Sequence, residues 1–391
     1  MIYDVLFAND AQFRPQPQMV GKWGLSDDKK TYTFELRDGL KWHDGTAVTS
    51  RDCVASIRRW GAKDGGGQAL MGQTADLSSK DDKTFVLRLK EPFGLTLDLL
   101  AKQVTSSCFV MREKDAETPP DQQVTANIGS GPFVFNRKET KPGARYVYDK
   151  NTAYVPRNEP ASGLAGGKVV HLDRVIWDNI ADEQTALAAL QSGEIDFMEL
   201  PPIDLLPVLQ ADPNIAIDIL NKSGNCGVAR PNWLHKPFSD VRARQALLYL
   251  TNQIDFMKAT FGNPKFYRTV DSIFGYHTPM SNDANTDWFK HAPDLAKAKQ
   301  LFASSGYGGE PITVLQATNF AFMNNSALLM AGQLKKIGAN AQLAASDWGG
   351  VVTRRANMAP ADKGGWDLFF TYGSSYSFAN PITLITLAMD G

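Results

Sequence analysis

Alternating apolar and polar positions predict two β-strands early in the chain, at 31–37 (TYTFELR) and 84–90 (TFVLRLK). Strands with one polar face are typical of a small antiparallel sheet packed on helices, and 50–60 is predicted to be such a helix. The glycine run at 64–67 (DGGG) predicts a flexible loop. The positions expected to face the core are Tyr32, Phe34, Leu36, Phe85, Leu87 and Leu89.

The middle of the chain combines short apolar runs with one helical pattern. Strands are predicted at 133–135, 146–148 and 175–177. A helix is predicted over 182–192, with Asp182 as its N-cap and Gly193 just past its end. A further strand at 195–198 (IDFM) would complete a strand–helix–strand order, which predicts a parallel pair of strands.

From about residue 223 onward, helical and strand patterns alternate. The predicted helices are 239–250, 294–304 and 326–337, and the predicted strands are 312–315, 341–343 and 368–372. Ser239, with Asp240, is expected to cap the first of these helices. The alternation predicts a second α/β region.

Composition and charge exclude several classes of protein. The chain has 391 residues, enough for two or three domains, with 41 basic and 42 acidic side chains and a net charge of −1. This balance disfavours nucleic-acid binding, which requires a basic surface. No apolar run reaches the roughly 20 residues of a membrane span. Cys53, Cys108 and Cys226 form no CxxC pair, so we expect buried thiols and leave their disulfide state and compartment open.

A search for catalytic and ligand motifs gives little support for an enzyme. The five histidines have no metal-binding spacing, and there is no GxSxG elbow or GxxxxGK[ST] loop. Gly129-Ser130-Gly131 lacks the third glycine of a dinucleotide fingerprint. We therefore predict no metal and no cofactor. Aromatic residues make up 10% of the chain, and a minority of them suits a ligand cleft, so a binding module is favoured over an enzyme.

Residues 25–46 (LSDDKKTYTFELRDGLKWHDGT) resemble a signature of the extracytoplasmic solute-binding proteins of family 5. These are the peptide- and nickel-type binding proteins of ABC importers. The resemblance continues in order along the whole chain. It includes 129–133 (GSGPF), 190–196 (LQSGEID), 237–246 (PFSDVRARQA), 334–338 (LKKIG) and 366–368 (WDL).

The resemblance implies a fold and a domain plan. The fold class would be α/β, like that of the periplasmic binding proteins (type II, three-lobed), with a small inserted α+β accessory domain. Lobe I would comprise 1–12 and 129–222, the accessory lobe II 13–128, and lobe III 223–391. Residues 1–4 match an internal stretch of the family, and 389–391 fall before its C-terminal segment. We therefore expect a chain truncated at both ends, without its signal peptide.

The resemblance also implies a function. The protein would be the binding component of an ABC importer, enclosing a peptide or similarly sized organic solute between two lobes and delivering it to the membrane permease subunits. It would be a monomer in the periplasm, or a cell-surface lipoprotein, and not an enzyme. Two alternatives stay open: a metal-chelate binder like the nickel-type relatives, and a hydrolase.

The expected ligand site departs from the pattern of the peptide binders. In those proteins, an acidic residue three positions after a tryptophan pairs with the ligand's amino terminus. Here Tyr372 and Ser375 stand at these positions, so the ligand lacks a free α-amine or its amine is held elsewhere. Arg230 is a candidate to bind an acidic group. The full set of predicted ligand-binding residues is Tyr372, Gly373, Ser374, Ser375, Arg230, Asn232 and Phe320.

Overall fold

A computed structural model describes residues 1–102, 106–291, 293–379 and 381, with the backbone alone at 290 and 291. Within these residues the chain forms two compact units, Met1–Ala186 and Leu187–Ala379. In the part of the chain that the structure describes, every helix is too short or too polar to span a lipid bilayer.

The first unit is built from short strands with helices between them. Its strands are β1 (Phe7–Asn9), β2 (Pro15–Pro17), β3 (Val20–Leu25), β4 (Thr31–Leu36), β5 (Thr74–Ser79), β6 (Thr84–Leu89), β7 (Phe133–Phe135), β8 (Arg145–Lys150) and β9 (Arg174–Asp178). Its helices are α1 (Ser50–Gly61), α2 (Gly65–Gln73), α3 (Thr96–Leu100) and α4 (Glu113–Ala116). Helix α5 (Glu183–Gln191) contains the boundary between the units.

The largest sheet of the first unit confirms the strands predicted from alternation. Its order is β3-β4-β6-β5, and every pairing is antiparallel. Phe34 and Phe85 are directly opposite each other, fully buried, with ring centroids 4.9 Å apart. The predicted helix at 50–60 is α1, which packs on this core. Cys53 and Cys108 lie in the same core as free thiols, whereas Cys226, also free, is half-buried in the second unit.

The glycine run at 64–67 is a helix start and not a loop, so that prediction is wrong. Asp64 caps α2, because its side chain accepts a hydrogen bond from the Gly67 amide at 3.0 Å. A Cβ on Gly67 would lie 2.9 Å from Gly61 Cα, and one on Gly66 would lie 2.7 Å from Leu99 Cδ2. The glycines therefore permit close helix packing, at a cost in helix propensity that the burial offsets.

The predicted strands at 133–135, 146–148 and 175–177 are confirmed as β7, β8 and β9. They form a fully antiparallel sheet of order β7-β8-β9. Helix α5 follows as predicted, with Asp182 accepting from the Thr185 amide at 2.7 Å and Gly193 at φ +74°. Residues 195–198 do not form a strand, so the predicted parallel pair is wrong.

The second unit contains the strands β10 (Asn225–Pro231), β11 (Ile312–Ala317), β12 (Ala341–Ser346) and β13 (Leu368–Ser374). Its helices are α6 (Leu206–Ala211), α7 (Val241–Leu250), α8 (Gln253–Phe261), α9 (Asp287–His291), α10 (Leu295–Ser304), α11 (Ala321–Lys336) and α12 (Trp348–Arg355). The predicted alternation of helices and strands is confirmed.

The four strands of the second unit form one sheet of order β10-β13-β11-β12. Strand β11 is parallel to β12 and β13, while β10 is antiparallel to β13. Helices α11 and α12 connect the parallel strands. Phe370 packs with α7, α8 and α11 on one face of the sheet, and Phe369 packs with Val351 of α12 on the other.

Two helix starts in the second unit differ from the predictions. The N-cap of α7 is Asp240, whose carboxylate accepts from the Arg242 amide at 2.8 Å, and not Ser239. Helix α11 begins at Ala321, five residues before the predicted start, after Phe320, which makes no side-chain capping bond. The predicted lobe boundaries at 12, 128 and 222 stay predictions.

Candidate functional site

The carboxyl ends of β11, β12 and β13 meet at one edge of the second sheet, because these three strands are parallel. We call this the carboxyl edge. In open α/β sheets, ligands bind outside this edge. Four half-buried aromatic side chains lie at or next to it: Phe320, Phe322, Trp348 and Tyr372.

Tyr372 lies near the end of β13, directly opposite Gly227 of β10. Phe322 meets its ring edge-on, with centroids 6.1 Å apart, and a Cβ on Gly227 would lie 2.3 Å from Phe322 Cζ. The missing Cβ thus lets Phe322 pack against the strand and support Tyr372. Burial, followed by the charge of Glu199, raises the pKa of Tyr372, so its hydroxyl stays protonated and can donate to a ligand.

Phe320 directly precedes α11, and Trp348 is the first residue of α12. Two hydrogen bonds hold the start of α12. Asn319 accepts from the Trp348 amide at 2.9 Å, and Asp347 caps α12 by accepting from the Gly350 amide at 2.7 Å. The Phe320 and Trp348 rings meet edge-on, with centroids 6.4 Å apart. The two rings therefore form one aromatic pair at the carboxyl edge.

Gly373 and Ser374 end β13, and the chain turns tightly from Ser375 onward. The Ser374 and Ser377 hydroxyl oxygens are 3.2 Å apart. Ser375 is fully buried, and its hydroxyl donates to the Ser223 carbonyl at 2.7 Å. A Cβ on Gly373 would lie 3.0 Å from the Phe378 ring. The Ser375 side chain thus faces the protein and anchors the turn that presents Ser374.

Arg230 and Asn232 lie toward the other end of β10. Asn232 is buried, donates to the Trp366 carbonyl at 2.8 Å and accepts from the Leu234 amide at 3.1 Å, so its side chain is occupied by the backbone. Arg230 is opposite Phe369, on the α12 face. Since side chains alternate along a strand, Arg230 and Tyr372 lie on opposite faces of the sheet.

Arg230 has a second arginine near it. The guanidinium carbons of Arg230 and Arg355 are each 5.7 Å from the centroid of the buried Phe369 ring. Arg355 also lies 5.2 Å from the Trp348 ring, which connects the two arginines to the carboxyl edge. Burial, and then the charge of Arg355, lower the pKa of Arg230.

The structure therefore brings Tyr372 and Ser374 to one part of the carboxyl edge and Phe320 to another, with Arg230 behind it on the α12 face. Sequence reasoning missed Phe322, Trp348 and Arg355. Trp348, directly after a capping aspartate, carried a usable signal for a helix start at the end of a strand. The other two depend on how α11 and α12 pack on the sheet.

The chemistry of this region is that of binding: aromatic walls, a protonated phenol, a serine hydroxyl and two cations. Among the described residues, no group of three or more His, Cys, Asp or Glu side chains could hold a metal ion.

The sequence and fold define a class of protein. Residues 14–389 match the model of the bacterial extracellular solute-binding proteins, family 5 Middle, and the chain belongs to this family. Its mixed α/β fold is that of the periplasmic binding proteins, as predicted.

Three known proteins illustrate the relationship. A probable peptide ABC transporter periplasmic-binding protein of Sinorhizobium fredii is 55% identical over 392 residues, covering 100% of this chain and 73% of that protein. The binding protein AgaA of A. tumefaciens R10, solved with agropinic acid, is 25% identical with a TM-score of 0.75, covering 97% of this chain and 72% of that one. DppA of Helicobacter pylori, solved with the peptide STSA, is 21% identical with a TM-score of 0.79, covering 99% and 74%. Other relatives are longer, and this chain spans 57% to 64% of their length.

Proposed function

We propose that this protein is the extracytoplasmic binding component of an ABC importer, and that it binds a peptide or similarly sized organic solute at the carboxyl edge. The observation that carries the proposal is the set of half-buried aromatic side chains at this edge in a member of a solute-binding family. The names of the Sinorhizobium relative and of the peptide-bound and agropinic-acid-bound structures support this class of ligand.

Within this proposal, each residue has a role. Tyr372, Phe320 and Trp348 supply apolar walls, while the Tyr372 and Ser374 hydroxyls supply hydrogen bonds. Arg230 and Arg355 supply positive charge. Gly373, Ser375 and Asn232 position these groups by holding the turn and the end of β10.

The proposal extends to the partners, the oligomeric state and the location of the protein. The protein acts as a monomer that hands its solute to the permease subunits, and it performs no chemical reaction on that solute. It works in the periplasm or as a cell-surface lipoprotein. The family name and the Sinorhizobium relative support this placement.

Calorimetric titration with di- to tetrapeptides and small organic acids tests the proposal, together with native mass spectrometry of the protein as purified. We expect saturable binding, and replacement of Tyr372 by alanine should weaken it by about tenfold through loss of one aromatic wall and one hydrogen bond. Trp233, an exposed aromatic at the far end of β10, is the matched control, and Trp233→Ala should leave the affinity unchanged. Equal affinities for Tyr372→Ala and the unaltered protein would remove the carboxyl edge from the site.

A further inference from the structure

Two half-buried arginines of the second unit have no counter-ion among the residues that the structure describes. Arg230 and Arg355 form no ion pair with a described residue, and neither side chain donates a hydrogen bond to one. Both guanidiniums lie over the same Phe369 ring at 5.7 Å. Two like charges brought together away from bulk water repel each other, so this arrangement is costly without an anion.

Three other arginines of this unit each have a hydrogen-bond partner, which Arg230 and Arg355 lack among the described residues. Arg242 pairs with Asp240 at 2.7 Å, and Arg354 donates to the Gly365 carbonyl at 3.0 Å. Arg244 donates to the Phe238 carbonyl at 2.7 Å. Arg230 and Arg355 are held instead by aromatic rings, which support the flat face of a guanidinium and leave its N–H edge free.

We infer that Arg230 and Arg355 form an anion subsite, which takes an acidic group of the solute bound at the carboxyl edge. This inference rests on the proposed function, since Trp348 connects Arg355 to that edge. Guanidinium forks match the geometry of a carboxylate, so for a peptide or a related organic acid the group is a carboxylate. The imported solutes are then acidic, with the acid directed to the α12 face.

A ligand-independent experiment tests the subsite itself. The melting temperature is measured in sodium sulfate and in sodium chloride of equal ionic strength, for the unaltered protein, Arg230→Gln, Arg355→Gln and Arg242→Gln. General salt effects act on all four proteins alike. We expect sulfate to raise the melting temperature of the unaltered protein and of Arg242→Gln more than that of the other two variants. The same sulfate shift in all four proteins would overturn the inference.

A second experiment tests the class of solute, with the peptide Ser-Thr-Ser-Ala and its C-terminal amide as probes. A charge-assisted hydrogen bond predicts at least about tenfold tighter binding of the acid. Arg230→Gln should reduce this preference, and Arg242→Gln should keep it. Equal binding of acid and amide by the unaltered protein would overturn the inference. Failure of both peptides to bind would count against the proposed function, and the sulfate experiment would still decide the subsite.

Discussion

Two buried carboxylates of the first unit are paired with lysines, whereas two half-buried arginines of the second unit have no counter-ion among the described residues. Lys102 and Asp64 form an ion pair with side chains only 2% and 4% exposed, and the buried Asp4 pairs with Lys168 at 2.6 Å. Arg230 and Arg355 share an aromatic ring instead. A paired buried charge has a structural partner already, while an unpaired one has capacity left for a ligand. A buried charge with a counter-ion therefore indicates a structural role, whereas one without a counter-ion indicates a role in ligand binding.

The largest effect is expected from breaking the pair in the first unit. Lys102→Met leaves the Asp64 carboxylate buried without its cation, and this should lower the free energy of unfolding by about 3–5 kcal/mol. Urea unfolding followed by circular dichroism measures the change. The double variant Asp64→Asn, Lys102→Met removes both charges while keeping an acceptor for the Gly67 amide, and should lose less than the single variant. A single-variant loss below about 1 kcal/mol would contradict a structural role for this pair.

The second effect concerns the aromatic support of Tyr372. Gly227→Ala places a Cβ where it would lie 2.3 Å from Phe322 Cζ, so the Phe322 ring must move away from Tyr372. Overpacking of this kind costs about 1–3 kcal/mol, and the displaced support should also weaken solute binding. Thermal unfolding and calorimetric titration measure the two effects. Gly332→Ala in α11, where a Cβ would meet no atom within 4 Å, is the control and should leave binding unchanged while favouring the helix.

A smaller effect on stability is expected at Arg230, in contrast to Lys102. Arg230→Gln loses a cation–π contact of about 0.5–1 kcal/mol and relieves repulsion with Arg355. The free energy of unfolding should therefore change by less than about 1 kcal/mol, while binding of an acidic solute weakens. A loss as large as that of Lys102→Met would show that Arg230 is structural and would remove the contrast between the units.

Sequence patterns predicted the elements whose signals are local. The alternation in β4 and β6 and the cap at Asp182 depend only on neighbouring residues, and the structure confirms them. Helix α2 was missed because its glycines allow close packing against Gly61 of α1 and Leu99 of α3. These are contacts between helices, and the local sequence pattern does not show them. Propensity alone therefore gave the wrong state for this segment.

The candidate site was also predicted only where its residues have local signals in the sequence. Tyr372 lies near the end of β13, and Phe320 follows β11. Because β11 and β13 are parallel, both residues lie at one edge of the sheet. The placement of Arg230 on the opposite face from Tyr372 follows from the register of β10 with β13, and the sequence pattern had not predicted β10 at all. Arg355 enters the site only because α12 packs across Phe369, a tertiary contact that no local pattern encodes.

The smallest effect is expected at His43 in the first unit, where a hydrogen bond depends on a neutral ring. The Gly129 amide donates to His43 Nδ1 at 3.2 Å, and Nε2 is 3.0 Å from the Gly131 carbonyl. Nδ1 can accept only when it carries no proton, so Nε2 is the protonated nitrogen and donates to that carbonyl. Burial lowers the pKa of His43, and the hydrogen bond to Gly131 and the charge of Asp44 oppose this shift in part.

Because the folded protein holds His43 neutral below the ordinary pKa of about 6.5, the unfolded chain binds more protons as the solution becomes acidic. The free energy of unfolding should be constant for this group above that pH and should fall as the pH drops through 6.5 toward the lowered pKa of the folded state. His43→Gln removes the titration, so urea unfolding between pH 7.5 and 5 should show a shallower decline for the variant than for the unaltered protein. Parallel pH profiles would contradict this prediction and would mean that the Gly129 bond, which protonation of the ring breaks, contributes little to stability.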